Sequence, residues 1–507
     1  MNSTILFKTG TNKNYLFNTH KKDLLFCHPV LAYLIKLYRG GVDVNHWVEN
    51  QKWKKTRLEN YEKFKKSEVN YFYKKFLLLL ENGYLSRNER ECDLSGRIKA
   101  DDIKAALANL RQVTYETTDF CQLSCFYCGY GRFYNDYDKR KSKNLNVNTA
   151  RRLLIFLTQL WNSHQNISHD KNIYISFYGG EPLLNFAFIK EMVNFSKTLE
   201  LKHNRFIFSM TTNAILLEKH MDFLVENDFH LLISLDGDEK NNSYRVFHNG
   251  ESAYQSILKN VQTLKKNYPA YFKRKVNFNA VLHKRNSVSE IHKYFKENFN
   301  KIPSISPLNT SGIKVSEKEE FWKTYSNINE SLFQAEDYSF IEKDMFINLP
   351  NIKDVGIFLH KFSGHVFKNY NDFLFSANNQ NRTPTGTCLP FSKKVFVTVN
   401  GKILPCERIS HRYELGVVND KTVDINFEKI AEKYNQYYAR MQKQCKHCCA
   451  IDICTQCMFY LDIDDKNPRC NGFMNEETFS KYLSSHVSYI EKNPGIYSKI
   501  MKEVIIE

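Results

Sequence analysis

The segment FCQLSCFYCGYG, residues 120–131, places Cys121, Cys125 and Cys128 within eight positions. Thiolates are ligands for zinc and for iron–sulfur centres, and a closed structural zinc site takes four of them. No fourth cysteine stands nearby. Three thiolates on one short loop suit three corners of a 4Fe–4S cube whose last iron is left to a non-protein ligand. A zinc knuckle closed by a distant residue is the competing assignment. A second group comprises Cys388, Cys406, Cys445, Cys448, Cys449, Cys454, Cys457 and Cys470. Under reducing conditions such clusters are metal or iron–sulfur ligands rather than disulfides. Cys27 and Cys92 stand apart and are expected to be small buried hydrophobes.

These side chains need elements to position them. From residue 112 onward, β-like apolar runs alternate with helix-patterned ones. QVTYET, NIYISFY, RFIFSMTT, HLLISLD and KVNFNAVL are the expected strands, with a sixth near IPSISPL. Helices are expected around 147–165, 184–201, 215–227, 251–267 and 288–299. Such alternation implies parallel strands with right-handed crossovers, here an α/β fold built on a partial six-stranded β/α barrel. The reactive end of a barrel is where its strands finish. The cysteine triad follows the first strand, and YGGEP, TTNA and LDGD follow the second, third and fourth. Every unusual motif is thereby expected on one rim.

Before the barrel, ILFKT, NYLFNT and DLLFC are expected as short strands. PVLAYLIKLYRGG and NYFYKKFLLLLENGYL are expected as helices ending at glycine turns. Together they suggest a winged-helix-like unit, with a plain α/β cap as the alternative. After the barrel, residues 300–380 read as helical and aromatic. KVFVTVNGKILPC reads as a hairpin turning at Asn400-Gly401, followed by cysteine-punctuated loop and helix. The expected division is 1–95, 96–310, 311–380 and 381–507.

At 507 residues and 42% hydrophobic content, the chain has room for two or three cores and is not of disordered composition. No apolar run is long enough to span a bilayer, and the N-terminus lacks a secretion-signal pattern, so a cytoplasmic location is expected. A net charge of +17 favours an acidic partner, or keeps a lysine-rich chain soluble.

Cys121-x3-Cys125-x2-Cys128, with Tyr127 before the last cysteine, resembles the CxxxCxxC motif of the radical S-adenosylmethionine (SAM) enzymes. The resemblance implies that the amino and carboxylate groups of SAM chelate the open iron. One electron then cleaves the sulfonium to methionine and a 5′-deoxyadenosyl radical, which removes a substrate hydrogen. By the same resemblance, Gly179, Gly180 and Glu181 correspond to the GGE motif that contacts the methionyl ammonium. Ser234 and Arg245 correspond to the groups holding the ribose and the methionyl carboxylate. Tyr127 and Leu282 correspond to residues flanking the adenine. TTNA departs from the usual TNG at Ala214, which changes a turn.

The C-terminal cysteines, with Gly401 between the first two, are similar to the SPASM extension of peptide-modifying radical enzymes, which carries two auxiliary 4Fe–4S clusters. That pattern assigns Cys445, Cys448, Cys454 and Cys470 to one cluster and Cys388, Cys406 and Cys457 to the other. The fourth position of the latter stays open: Cys449, substrate or none. The spacing before the penultimate cysteine is x2 where the family has x3, and NRTPTGT lacks an extra cysteine found in some members. Zinc ribbons are the competing assignment. Glu407 corresponds to a carboxylate that acts as a base in sulfatase-maturing relatives. Residues 1–95 resemble the winged-helix element that binds the leader of a ribosomally made peptide (RiPP) by adding it as a strand.

The function implied is that of a peptide maturase. It would hold a precursor by its leader, abstract a hydrogen from a core residue and install a thioether, C–C or C–O crosslink. Its electron donor would be a flavodoxin or ferredoxin, with no membrane partner. A sulfatase-type maturase forming formylglycine and a peptide epimerase are alternatives. A zinc-containing basic nucleic-acid-binding protein is the alternative of another class, for which no interleaved aromatic–basic motif is found.

Overall fold

The computed structural model describes residues 4–19, 21–56, 64–85, 94–135, 137–362, 382–461, 463 and 468–504; Cys92 lies outside these. The N-terminal unit opens with β1 (Thr4–Lys8), β2 (Asn14–Asn18) and β3 (Leu24–Cys27), an antiparallel sheet in that spatial order. Helices Pro29–Arg39, Val44–Glu49 and Lys66–Glu81 follow. Proline opens the first, at a position whose missing N–H would have had no helical partner. Val30, Leu34, Ile35, Trp47, Val69 and Phe76 close a separate small core around Cys27, which is fully buried as its apolar setting suggested. Helix Glu476–Lys492 covers the outer side of β1: Ser484 Oγ donates to Lys8 O (2.7 Å) and Tyr15 OH to Glu491 Oε1 (2.7 Å). The opposite edge is open. Among the described residues β3 pairs only with β2, and Leu24, Leu25 and Phe26 are exposed along it.

The main sheet contains six consecutive parallel strands, β4 (Gln112–Thr118), β5 (Asn172–Gly179), β6 (Arg205–Thr212), β7 (His230–Ser234), β8 (Val276–Leu282) and β9 (Ser304–Pro307). Helices Val147–Trp161, Phe186–Ser196, Leu217–Glu226, Tyr254–Asn267 and Val288–Phe299 connect or flank them. These are the expected elements, with ends shifted by a few residues. The short helix Pro269–Lys275, opened by a proline, is additional. Val113, Tyr115, Ile173, Ile175 and Phe177 are buried on the strands, as the two-sided cover of a parallel sheet requires. Helices Lys318–Thr324, Ile328–Phe333, Tyr338–Asp344 and Pro350–Phe362 bear out the helical reading of the segment after β9. No helix among the described residues is long and apolar enough to cross a membrane.

The C-terminal hairpin turns at Asn400-Gly401, where Gly401 takes φ +77°, a conformation that costs other residues steric strain. Its strands are β10 (Val395–Val397) and β11 (Lys402–Leu404); β12 (Gly416–Val418) and β13 (Val423–Asp424) extend the meander. Its docking place was not readable from sequence. β10 lies parallel to β4, with Val395 opposite Val113 and Val397 opposite Tyr115, so one ten-stranded sheet runs through both regions. Pairing with β10 satisfies the otherwise open edge of β4.

Candidate active site

The ends of all six parallel strands meet at one cavity of about 290 Å³. The loop after β4 supplies Cys121, Cys125, Tyr127, Cys128, Tyr130 and Arg140, and the end of β5 supplies Tyr178, Gly179, Gly180 and Glu181. Thr212 and Asn213 come from β6, Ser234 from β7, Asn279 and Val281 from β8, and Pro307, Leu308 and Asn309 from β9. Glu407, from the loop after β11, reaches the same cavity.

Backbone pairing fixes the cysteine loop. Ser124 N donates to Val246 O (2.7 Å), Phe126 N to Tyr244 O (3.0 Å) and Glu181 N to Phe120 O (2.8 Å). The last of these explains Gly180. A Cβ there would stand 2.0 Å from Phe120 O, so the glycine serves a close approach of the chain to itself. The sulfurs also have donors: Leu123 N (3.4 Å) and Asn213 Nδ2 (3.6 Å) reach Cys121 Sγ, and Arg140 Nη2 reaches Cys128 Sγ (3.5 Å). Donors to sulfur favour its anionic, metal-binding form. Burial pushes the Cys121 thiol up to about 11 and Cys125 up to about 12, with Arg245 opposing the latter. A bound cationic centre therefore has to draw off those protons. Sequence reasoning missed Arg140, which has no motif around it. It noted TTNA without giving Asn213 a role.

Glu181 is buried, and its carboxylate is already engaged. Oε1 accepts from Leu183 N (3.1 Å) and Thr212 Oγ1 (2.7 Å), and Oε2 accepts from Asn213 N (2.8 Å). It ties the ends of β5 and β6 together. Burial pushes its carboxyl up to about 7 against those three bonds. Ala214 takes φ +62° while fully buried, so the residue standing at the family's glycine position keeps the left-handed turn. An L side chain there costs roughly 1–2 kcal/mol.

Arg245 lines the cavity, but its fork faces Asp236: Nε donates to Oδ2 (3.1 Å) and Nη2 to Oδ1 (3.0 Å). Asp236, fully buried, also accepts from Tyr127 OH and from Val281 N (2.9 Å). Asp236 thus orients both Arg245 and Tyr127, a role its place in LDGD did not reveal. Leu282 is not among the described residues that line the cavity. It is fully buried in the main core, while Val281 lines the cavity. Side chains alternate along a strand, so a one-residue offset exchanges the two faces.

Glu407 Oε1 accepts from Lys394 Nζ (3.1 Å), while its buried Oε2 has no partner among the described residues. Gln122 Oε1 and Arg140 Nε are likewise buried without partners. These orphaned polar atoms and the clustered thiols fit a site that takes a polar, metal-containing group.

The C-terminal cysteines gather at two further places. Cys445, Cys448, Cys454 and Cys470 line a cavity of about 250 Å³, with Met474 N on Cys448 Sγ (3.5 Å) and Gly386 N on Cys454 Sγ (3.3 Å). Cys388, Cys406 and Cys457 lie within electrostatic range of one hydroxyl, that of Tyr434. Cys449 is buried, its N–H donating to Met474 O (2.8 Å), on the side of the four-cysteine cavity. Among the described residues no group of three or more His, Cys, Asp or Glu converges on the position of a single metal ion.

Glu116, at the end of β4, links the cavity wall to the hairpin. Its carboxylate accepts from Tyr130 OH (2.7 Å) and Val399 N (2.8 Å). Burial raises its carboxyl from 4.5 to about 7. The folded chain thus binds this proton more tightly than the unfolded one. The associated stability is complete below the ordinary carboxylate range and is lost as pH rises through about 7. Glu116→Gln is expected to flatten the melting temperature between about pH 5 and pH 8, measured beside wild type, with Glu181 contributing the remaining slope.

Comparison with known proteins agrees with this geometry. Residues 115–297 match the model of the Radical SAM superfamily. The sheet from β4 to β8, with its helices, is therefore a radical SAM domain within an α/β fold. A stretch of 157 residues is 30% identical to the uncharacterized protein MJ0907 of Methanocaldococcus jannaschii, covering 31% of this chain and 49% of that protein. Another of 220 residues is 22% identical to the radical SAM cyclopropyl synthase TigE of Paramaledivibacter caminithermalis, covering 42% and 43%. The chain thus spans about half the length of the curated relatives it matches. Among solved structures, anSMEcpe with bound AdoMet and the Kp18Cys peptide aligns with a TM-score of 0.47 at 18% identity, over 76% of this chain and 99% of that one. SuiB of Streptococcus suis bound to the precursor peptide SuiA aligns with a TM-score of 0.37 at 17% identity, over 86% and 88%.

Proposed function

We propose that this chain is a radical SAM peptide maturase that binds a ribosomally made precursor by its leader and installs a crosslink in its core. The observation that carries the reading is the single cavity where Cys121, Cys125, Cys128, Gly179, Gly180, Glu181, Ser234 and Arg245 meet at the strand ends. When bound, a 4Fe–4S cluster with SAM supplies one-electron cleavage to a 5′-deoxyadenosyl radical that takes a substrate hydrogen. The three cysteines would hold that cluster. Ser234 and the backbone of Gly179 and Gly180 would cradle the cosubstrate, and Tyr127 and Val281 would flank its adenine. Asp236 holds Arg245 and Tyr127 in place beforehand, so less ordering is needed on binding. Glu407 is the group best placed to take a proton, at the Oε2 that no donor among the described residues occupies.

The two C-terminal cysteine groups would hold auxiliary clusters, as electron acceptors or as anchors for a substrate thiolate. In this reading residues 1–95 form the leader-binding domain, 96–310 the barrel, 311–380 a bridge and 381–507 the SPASM domain, in a cytoplasmic enzyme served by a flavodoxin or ferredoxin. Peptide addition as a strand needs a free sheet edge. The exposed Leu24, Leu25 and Phe26 make β3 that edge, because helix Glu476–Lys492 occupies the side of β1. A basic chain suits an acidic leader.

The test pairs two readouts on the reconstituted enzyme. Leu24→Ser with Phe26→Ser is expected to weaken precursor binding by at least about tenfold, through lost apolar contact, while uncoupled 5′-deoxyadenosine formation holds at the wild-type rate. Unchanged precursor affinity would rule out leader capture at β3.

A further inference from the structure

Helix Phe427–Cys445 carries Tyr434 and Tyr438 on the face that ends in Cys445. Tyr434 is fully buried, its ring edge-on to Phe459 (5.5 Å) and to Tyr438 (6.3 Å). Its hydroxyl has no hydrogen-bond partner among the described residues. It is nevertheless in electrostatic range of Cys388, Cys406 and Cys457, and Cys457 is itself in electrostatic range of the other two thiols. Tyr438 also neighbours Cys388 and Cys457, but its hydroxyl is engaged by Thr383. A buried hydroxyl without an acceptor is costly and rare, and each instance calls for a missing partner. A neutral phenol is a good donor, and what this pocket lacks is an acceptor.

We infer that Tyr434 donates a hydrogen bond to the sulfur cage held by Cys388, Cys406 and Cys457 and thereby sets the reduction potential of that auxiliary cluster. The inference rests on the reading of those cysteines as cluster ligands. The cysteinate and bridging sulfurs of such a cage supply the acceptors that the protein does not. A donor to sulfur withdraws electron density and raises the potential. Tyr434, unpartnered among the described residues, would then make this cluster easier to reduce than it is without the bond.

The experiment uses the full-length chain, reconstituted anaerobically, with EPR-monitored redox titration of wild type, Tyr434→Phe and Tyr438→Phe. Tyr434→Phe is expected to keep its iron and sulfide while one cluster shifts to a more negative potential and the others hold. Tyr438→Phe is expected to shift less. Melting supplies a second readout. Removal of an orphan hydroxyl is expected to leave the metal-free protein as stable or more so, and to lower the melting temperature of the loaded protein. Full iron content with all potentials unchanged in Tyr434→Phe would overturn the inference alone. If replacing Cys388, Cys406 and Cys457 together by Ala costs no iron, there is no cage at this place, and the underlying reading falls with it.

Discussion

Replacing Cys121, Cys125 and Cys128 together by Ala is expected to abolish 5′-deoxyadenosine formation and to remove about four irons per chain. The three thiols line one cavity with the GGE segment and come from a loop pinned by backbone bonds to Val246, Tyr244 and Glu181. Nothing else in that cavity supplies a soft ligand. The loss is therefore expected to reach the detection limit, at least about a thousandfold, because an activated step without its electron source has no slower alternative. The C-terminal cysteines are not among the residues lining this cavity, so any iron they hold in the wild type is expected to remain. Stripped of metal, variant and wild type are expected to melt within a few degrees of each other, since burial keeps the Cys121 and Cys125 thiols protonated when no metal is bound. The check is iron and sulfide content with dithionite-driven nucleoside formation. Undiminished product would refute the assignment.

Gly180→Ala is expected to disable the same site without touching a ligand. The added methyl would meet Phe120 O at 2.0 Å, a backbone atom that cannot rotate away. Relief requires the end of β5 and the cysteine loop to separate, at the expense of Glu181 N to Phe120 O and Gly180 N to Thr118 O. Overpacking of this kind costs about 1–3 kcal/mol. Displacing a cluster loop by about 1 Å is expected to lower nucleoside formation by roughly a hundredfold. Any iron that the C-terminal cysteines hold in the wild type is expected to stay, which separates a local shift from general unfolding. Wild-type turnover would mean that the loop tolerates the displacement.

Much of this arrangement is legible in the residue order alone. The triad's spacing lies within one loop, and the strand–helix alternation is a local periodicity, so residues 112–307 disclose their elements and their order. The rim location of YGGEP, TTNA and LDGD follows from the rule that parallel strands all finish on one side. The hairpin at Asn400-Gly401 is equally local.

Other features required the tertiary structure. The lodging of β10 against β4 joins segments some 280 residues apart, and no local pattern encodes which edge a short strand will satisfy. The exchange of Leu282 for Val281 turns on strand parity, which packing decides. Arg245 is held by Asp236, and Asn213 and Arg140 reach sulfur, because distinct strand ends converge. The open edge at β3 exists because a helix from the far end of the chain covers β1. The sequence by itself determined the ligands and the elements that carry them, since both are set by residue type and short-range spacing. Only the folded chain decided which groups share a cavity and which buried hydroxyl, at Tyr434, has no partner among the described residues, since those depend on long-range packing.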